Sequence, residues 1–333
     1  MPALKLHVEI EKLRLSAPFR ISGFVFEEQE VVVVTLDDGK HRGRGEASGV
    51  YYLGDTAQGM AVEIEAARGT IERGIERTTL QQLLPPGGAR NAVDCALWEL
   101  EAQRSGVAVW QLAGLDAPKP LVTTFTLGAD DPATMAAGAR KYAQARSLKL
   151  KLTGDLQEDI ERVRAVRAAR PDVWMGVDAN QGYGIDALAA LIGVLDSADV
   201  SLLEQPLKRG READLAGFKS TIPIAADESV LTLPDIAGLV GRFSVVNIKL
   251  DKCGGLTEGL AMAREARRLG LGVMVGNMVG TSLAMAPAFV LGQLCDVVDL
   301  DGPIFLAQDR TPSMTYTNGN AWSGEHVWGG SHA

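Results

Sequence analysis

Eight short apolar runs recur at a nearly even spacing through the last two thirds of the chain, and this repeat restricts the possible folds more than any other feature. Each run is rich in Val, Ile and Leu, ends in polar residues and is followed by a segment with helical spacing of apolar residues. The runs begin at residues 121, 148, 173, 200, 222, 244, 272 and 296. Such alternation predicts a parallel sheet covered by helices, and eight regular units favour a modified (β/α)8 TIM-type barrel over an open doubly wound sheet.

The chain before the repeat has a different character. A strand-like run, VVVVTLDDG, begins at residue 31, and helical spacing follows around residues 57–73 and 90–104. We therefore predict an α/β protein with an N-terminal α+β capping domain over residues 1–115 and a barrel catalytic domain over 116–305. Residues 306–333 contain turn formers and no barrel unit, so we expect this segment to return to the cap.

Composition and charge exclude several classes of function. The net charge of -9 argues against binding to nucleic acid or to an anionic membrane surface. No apolar stretch reaches the roughly 18 residues that a membrane helix needs, and no signal peptide is visible. Neither a G-x-G-x-x-G turn nor a P-loop motif supports a nucleotide site. The three cysteines have no metal-binding spacing, which predicts a cytoplasmic protein, and barrels of this size often form homo-oligomers.

Three carboxylates follow three consecutive barrel strands. Asp178, Glu204 and Asp227 end the third, fourth and fifth runs, at the face of the barrel where active sites lie. Each one alone is as well explained by a helix cap or a salt bridge, but three in register should converge on one point. Oxygen ligands without a nearby histidine favour a hard cation, so we predict one Mg2+ per subunit.

Two lysine-bearing strands are predicted to face each other across this cation. In the second run Lys149 and Lys151 are two residues apart and share a face, and the sixth run ends in Lys249. Strands two and six of an eight-stranded barrel are opposite, so Lys151 and Lys249 are candidate bases for removing a proton from one face of a carbon and returning it to the other. We expect Lys149 and the metal to lower the pKa of the acting base.

Further polar residues accompany these groups. Asp299 and Asp301 share a face at the end of the eighth run, where they would repel each other unless they bound a cation. A substrate ammonium is the simplest partner, and a second metal ion is the alternative. Asn180 and Asp251 each lie two residues beyond a key group, and we predict that they orient the ligands and bases.

The chain resembles the muconate-lactonizing subgroup of the enolase superfamily in motifs that stand in order along it. These are Lys149-Leu-Lys151, Asp178-Ala-Asn180, Glu204-Gln-Pro206, Asp227-Glu228-Ser229 and Asn247-Ile-Lys249. The likeness covers essentially the whole chain. Within the subgroup it is similar to the dipeptide epimerases, and most of all to the L-Ala-D/L-Glu epimerases, in three further runs: Lys249-Leu-Asp251-Lys252, Gly254-Gly255-Leu256-Thr257 and Asp299-Leu-Asp301-Gly302-Pro303.

The resemblance implies a function and several roles. It implies Mg2+-dependent epimerisation of a dipeptide at the α-carbon of its C-terminal residue, by two-base proton transfer through an enolate. Asp299 and Asp301 would hold the α-ammonium, and Thr126 would bind substrate. Some relatives hold the glutamate side chain with an arginine in the early cap loop; here the corresponding place is Phe24, with Arg20 nearby, so a more apolar second residue is an alternative.

Three other functions stay open at this point. A cycloisomerase or o-succinylbenzoate synthase of the same superfamily would use the same metal and lysines, although its substrates carry no ammonium for the two aspartates. A Schiff-base aldolase would use one lysine as the nucleophile but leaves the three carboxylates unexplained. A non-catalytic barrel that binds amino acids or peptides would not need both lysines.

Overall fold

The structure is a computed structural model that describes residues 4–21 and 24–331, including all of their side chains except those of Ile21 and Phe24. Within these residues no helix combines the length and the apolarity needed to cross a membrane. The first part of the chain forms an antiparallel sheet in the order β1-β2-β3, four α-helices and a short 3-10 helix, Tyr51–Leu53. Their bounds are β1 Lys5–Ile21, β2 Phe24–Asp37, β3 Arg42–Ala47, α1 Ala57–Glu72, α2 Arg77–Leu83, α3 Gly88–Ser105 and α4 Val109–Leu112.

The sheet of the N-terminal part packs closely on helix α3. A Cβ atom at Gly43 would lie 2.0 Å from the carbonyl oxygen of Ala96, and one at Gly45 would lie 2.0 Å from that of Ala92. Only glycine permits this approach of backbone to backbone. The strand-like run at residue 31 forms the second half of β2 up to Asp37, as predicted, but β1 precedes β2 and pairs with it along most of its length.

The eight apolar runs all contain strands of one eight-stranded sheet, whose order follows the chain from β5 to β12. The strands are parallel, and their polar ends meet at one face. This confirms the predicted TIM-type barrel with an N-terminal antiparallel cap. The strands are β5 Thr124–Leu127, β6 Ser147–Lys151, β7 Trp174–Asp178, β8 Leu202–Glu204, β9 Ile224–Ala226, β10 Val245–Ile248, β11 Gly272–Val275 and β12 Val297–Val298.

An α-helix does not follow every strand, contrary to the regular alternation that we expected. Full helices follow β5, β6, β7, β10 and β11, whereas 3-10 helices, Glu212–Leu215, Leu233–Leu239 and Gly302–Phe305, follow β8, β9 and β12. Glycines and prolines in these connections interrupt the α-helical pattern. The helices are α5 Pro132–Lys141, α6 Leu156–Ala169, α7 Ile185–Ser197, α8 Leu250–Cys253, α9 Leu256–Arg268 and α10 Ser282–Gly292.

The first apolar run serves two sheets. Its opening residues form β4, Leu121–Val122, which pairs with β14, Asn320–Trp322, and β14 pairs in turn with β13, Thr315–Thr317. Only Thr124–Leu127 belongs to the barrel. The C-terminal segment therefore lies at the N-terminal end of the first barrel strand.

The C-terminal segment also contacts the N-terminal part at two places. The Ala307 amide donates to the Arg14 carbonyl over 2.8 Å, and the Trp328 indole donates to the Arg44 carbonyl over 2.9 Å. These contacts are consistent with its return to the cap. The division at residues 115 and 305 stays a prediction.

The barrel seam between β12 and β5 is bridged by side chains. The described residues form no backbone ladder between these two strands. Instead, the Leu300 amide donates to the Thr123 hydroxyl over 2.9 Å, and the Thr126 amide donates to Asp301 Oδ2 over 2.6 Å. Asp301, which follows the eighth strand, thus contributes to closing the barrel.

Candidate active site

Three carboxylates converge at the polar ends of neighbouring strands. Asp178 and Glu204 are the last residues of β7 and β8, and Asp227 follows β9 directly. Their side chains are buried, and one oxygen of each lies within 4.8 Å of the others. The structure therefore brings together the three residues that the sequence predicted as ligands.

The chemistry of this cluster fits a hard divalent cation. Burial, together with the charge of Asp178, raises the pKa of Glu204 to about 7. Glu204 Oε2 accepts no hydrogen bond from the described residues, although it lies 2.8 Å from Lys149 Nζ. A buried carboxylate oxygen without a hydrogen bond is costly, and coordination would satisfy it. An all-oxygen donor set is the one that Mg2+ prefers.

Lys149 lies beneath the cluster as a shared counter-ion. Its Nζ lies 2.8 Å from Glu204, 2.9 Å from Asp299 and 3.3 Å from Asp178. Burial works to lower the pKa of Lys149, but these carboxylates outweigh burial and raise it well above its usual range. Lys149 is therefore held as an ammonium, suited to binding negative charge.

Lys151 and Lys249 each pair with a different carboxylate of the cluster. Lys151 Nζ lies 2.6 Å from Asp178 Oδ2, and Lys249 Nζ lies 2.7 Å from Asp227 Oδ2. They extend from β6 and the end of β10, four strands apart in the eight-stranded order, and both line the same pocket. The two lysines therefore approach the pocket from opposite sides.

The expected lowering of the base pKa by Lys149 and the metal stays a prediction, and the protein groups alone act in the opposite direction at Lys249. Burial and the charge of Lys149 do work to lower its pKa, but Asp227 and the other carboxylates outweigh them, so that the pKa is raised. The prediction considered Lys149 and the metal, and overlooked the direct ion pair with Asp227. That pair cannot be read from the sequence.

The two aspartates of the eighth strand have different surroundings. Asp299 accepts from the Thr124 hydroxyl over 2.5 Å and pairs with Lys149 over 2.9 Å. Asp301 accepts from the Thr126 amide and has no ion pair with a described residue. Burial and the charge of Asp299 raise the pKa of Asp301 to about 7. Of this pair, Asp301 is therefore the carboxylate whose ionised form a cationic partner would stabilise more.

A pocket of about 690 Å³, including its opening to solvent, joins these groups. Its lining includes eight of the predicted site residues: Lys149, Lys151, Lys249, Asp227, Asp299, Asp301, Thr126 and Asn180. Several residues that the sequence did not predict also line it. Those from the N-terminal part are Phe19, Phe26, Gln29, Tyr51 and Tyr52, and those from the barrel are Glu228, Asn277, Met278, Val279 and Phe305.

Sequence position could have indicated some of the site residues that the predictions missed, but not all of them. Glu228 directly follows Asp227, and the turn after β9 lets both carboxyls reach the pocket, whereas alternation in a strand would send them to opposite faces. Lys252 follows Lys249 by three residues and contacts Asp227 from outside the pocket. No pattern marks Tyr51 and Tyr52 as site residues, because the cap packs over the barrel from a distant part of the sequence.

The remaining predicted residues have varied positions. The main-chain amide of Asn180 donates to Asp178 Oδ1 over 2.9 Å, a contact that does not involve the Asn180 side chain, so its orienting role stays a prediction. Asp251 instead accepts from the Ser48 amide over 3.0 Å and from the Asn91 side chain over 3.3 Å, so its contacts are with the N-terminal part. Arg20 is exposed and lies 3.7 Å from Asp130, outside the pocket lining. The Phe24 side chain lies outside the described residues.

Comparison with known proteins finds matches along nearly the whole chain. Residues 4–114 match the family model of the mandelate racemase / muconate lactonizing enzyme N-terminal domain, and residues 133–315 match the enolase C-terminal domain-like model. The L-Ala-D/L-Glu epimerase of Escherichia coli (strain K12) is 40% identical over 307 residues, which are 92% of this chain and 95% of that protein.

Two solved structures are similar over comparable lengths. One is an enolase family member from Agrobacterium tumefaciens with homology to dipeptide epimerases, bound to sodium and L-Ala-L-Glu; its TM-score is 0.94 at 41% identity, covering 98% of this chain and 100% of that one. The other is a dipeptide epimerase from Enterococcus faecalis V583 complexed with Mg and L-Leu-L-Tyr, with a TM-score of 0.88 at 28% identity, covering 95% and 94%.

Proposed function

Since the chain belongs to the mandelate racemase / muconate lactonizing enzyme family of the enolase superfamily, we propose that it epimerises a dipeptide at the α-carbon of its C-terminal residue, with Mg2+ as cofactor. The observation that carries this proposal is the position of Lys151 and Lys249 on opposite sides of one pocket, each beside a carboxylate of the ligand cluster. Two bases that face each other are what inversion of a carbon centre requires.

The pocket offers a separate place for each end of a dipeptide. Asp178, Glu204 and Asp227 would hold Mg2+, which supplies positive charge beside the substrate carboxylate and so lowers the energy of the enolate. The Lys149 ammonium adds positive charge at the same end. Asp301, with Thr126 beside it, would accept the α-ammonium at the other end. In this arrangement the α-carbon of the second residue would lie between Lys151 and Lys249, which line the same pocket.

The proposed reaction moves one proton off the α-carbon and another onto its opposite face. One lysine, as the neutral amine, takes the α-proton, and the electron pair of the broken C–H bond moves into the substrate carboxylate as an enolate. The opposite lysine, as the ammonium, donates a proton to the other face of the same carbon. The product is the epimer, and the two lysines have exchanged protonation states.

The pocket walls bear on the substrate side chains. Phe19, Phe26, Tyr51, Tyr52 and Phe305 supply aromatic surface, and no arginine is among the described lining residues. The E. coli relative is named for L-Ala-D/L-Glu, and the E. faecalis structure holds L-Leu-L-Tyr. We therefore propose a dipeptide substrate of the alanine–glutamate kind or one with a more apolar second residue.

Asp301 distinguishes this proposal from cycloisomerase or o-succinylbenzoate synthase activity. Substrates of those reactions carry no ammonium, so the buried Asp301 would stay without a cationic partner.

All three cysteines are free thiols, which supports the prediction of a cytoplasmic location. Homo-oligomer formation stays a prediction.

Proton NMR of a dipeptide library in D2O with Mg2+ tests the proposed function. We expect loss of the α-proton signal of the C-terminal residue together with inversion. Lys151→Ala and Lys249→Ala should each abolish inversion, while each keeps exchange from the one epimer whose proton the remaining lysine removes. An exposed lysine, Lys219, provides the matched control as Lys219→Ala. If Mg2+ binds and no dipeptide exchanges, the epimerase proposal fails.

A further inference from the structure

We infer that Lys252 is a positioning residue that fixes the carboxylate of Asp227 and, through it, the base Lys249. Lys252 lies on the short helix α8, which follows β10, and it is only 2% exposed. Its Nζ donates to Asp227 Oδ1 and to the Asp227 carbonyl, both over 2.6 Å, and to the Asn247 carbonyl over 3.1 Å. Three acceptors satisfy all three of its donors.

The contacts of Lys252 restrict how Asp227 can turn. Because Lys252 binds both the main-chain and the side-chain oxygen of Asp227, rotating the carboxylate would remove a hydrogen bond from a buried ammonium, which is costly. Asp227 Oδ2 meanwhile pairs with Lys249. The two carboxylate oxygens of Asp227 thus contact different lysines, Lys252 outside the pocket lining and Lys249 within it.

Lys252 also joins two strand ends of the site. Its bond to the Asn247 carbonyl reaches β10, and the Asn247 side chain donates to Glu204 Oε1 over 2.8 Å. Lys252 is not among the residues that line the pocket, whereas the other three lysines of the cluster are. It therefore acts on the reaction through Asp227 and not by touching the substrate.

This role has a directional consequence that rests on the proposed function. Loss of Lys252 should disturb Asp227 and Lys249 but leave the pair of Lys151 with Asp178 intact, since the two pairs lie on different strands. Proton removal from one epimer should therefore suffer more than removal from the other. A role in folding alone would slow both directions alike.

The test compares Lys252→Met, which keeps the length of the side chain without its charge, with the exposed control Lys219→Met. Exchange of the α-proton in D2O is measured from each epimer separately, and Mg2+ affinity is measured by calorimetry. Lys249→Ala identifies which epimer loses its proton to Lys249. We expect exchange from that epimer to fall at least tenfold more than from the other, and the Mg2+ dissociation constant to rise several-fold.

Equal slowing from both epimers, or unchanged Mg2+ affinity and exchange, would overturn the inference. Circular dichroism checks the fold, and Lys252→Gln, which keeps two donors, replaces the Met variant if that variant does not fold. If the unaltered protein exchanges no dipeptide, the proposed function fails, but calorimetry still decides whether Lys252 holds Asp227 for the cation: an unchanged dissociation constant would then refute it.

Discussion

Lys149 Nζ lies 2.9 Å from Asp299 Oδ2, an ion pair that reaches over the first barrel strand from the second strand to the eighth. Asp299 is thereby engaged with the protein, while Asp301, two residues later, has no ion pair with a described residue. The two aspartates that the sequence treated as one ammonium site thus have unequal surroundings, and they should respond differently to substitution.

Asp301→Asn should mainly weaken substrate binding. A hydrogen bond to a charged group contributes about 1.5–3 kcal/mol, so KM for a free dipeptide should rise roughly tenfold or more. Asp299→Asn should instead lower kcat, because it removes a counter-ion of Lys149. Steady-state kinetics of both variants, with the exposed Asp196→Asn as the control, measures this difference.

An N-acetylated dipeptide provides the complementary measurement for Asp301. It lacks the ammonium, so the unaltered protein should bind it poorly, and Asp301→Asn should cost little further affinity. An equal loss for the free and the acetylated dipeptide would show that Asp301 does not contact the ammonium.

Removal of the metal or of one of its ligands should stop the exchange reaction. Dialysis against EDTA should abolish α-proton exchange, and added Mg2+ should restore it. Glu204→Gln keeps the side-chain volume and removes a buried charge, so we expect the Mg2+ affinity to fall by roughly a hundredfold, about 3 kcal/mol. Calorimetry with Mg2+ alone measures the affinity, and wild-type affinity in Glu204→Gln would exclude Glu204 as a ligand.

The barrel and the positions of its charged groups were predictable because both depend on local pattern. A period of two residues placed Lys149 and Lys151 on one face, and the ends of parallel strands meet at one edge, which brought Asp178, Glu204 and Asp227 together. These rules require no knowledge of which distant segments touch.

Local pattern did not predict which of these charged groups form ion pairs, or how the N-terminal part packs over the site. Lys149 forms an ion pair with Asp299, and Lys252 forms one with Asp227. Which carboxylate each lysine contacts depends on the side-chain rotamers. Asp251 has the spacing of a site residue but faces Ser48 of the N-terminal part. Spacing along one strand cannot report how a second domain packs on it.

Arg310 should be important for stability although it does not line the pocket that the lysines share. It pairs over 2.7 Å with Glu46, whose side chain is fully buried and accepts from the Thr281 amide. Arg310→Ala would leave this carboxylate without a counter-ion, and we expect a loss of about 3 kcal/mol in the free energy of unfolding. The exposed pair of Arg267 with Asp296 is the control, because Arg267→Ala should cost at most about 1 kcal/mol. Urea unfolding compares them, and equal losses would contradict the prediction.

Asp94 should make folding stability depend on pH. It is fully buried, accepts from the Thr257 amide over 2.9 Å and from the Thr257 hydroxyl over 2.6 Å, and burial raises its pKa to about 6. Because this pKa lies above the value of 3.8 for an exposed aspartate, the folded state binds the proton more tightly than the unfolded state. The contribution to stability is therefore fully present below pH 3.8 and is lost as the pH rises through about 6.

Asp94→Asn mimics the protonated form and should remove this dependence. Relative to the unaltered protein, the variant should gain on the order of 2 kcal/mol in the free energy of unfolding between about pH 4.5 and pH 7.5, since one pKa unit corresponds to about 1.4 kcal/mol. Urea unfolding of both proteins at the two pH values measures the gain. A stability difference that stays constant with pH would show that Asp94 is ionised throughout, with its charge balanced by Arg77 and Arg90, which work to lower its pKa.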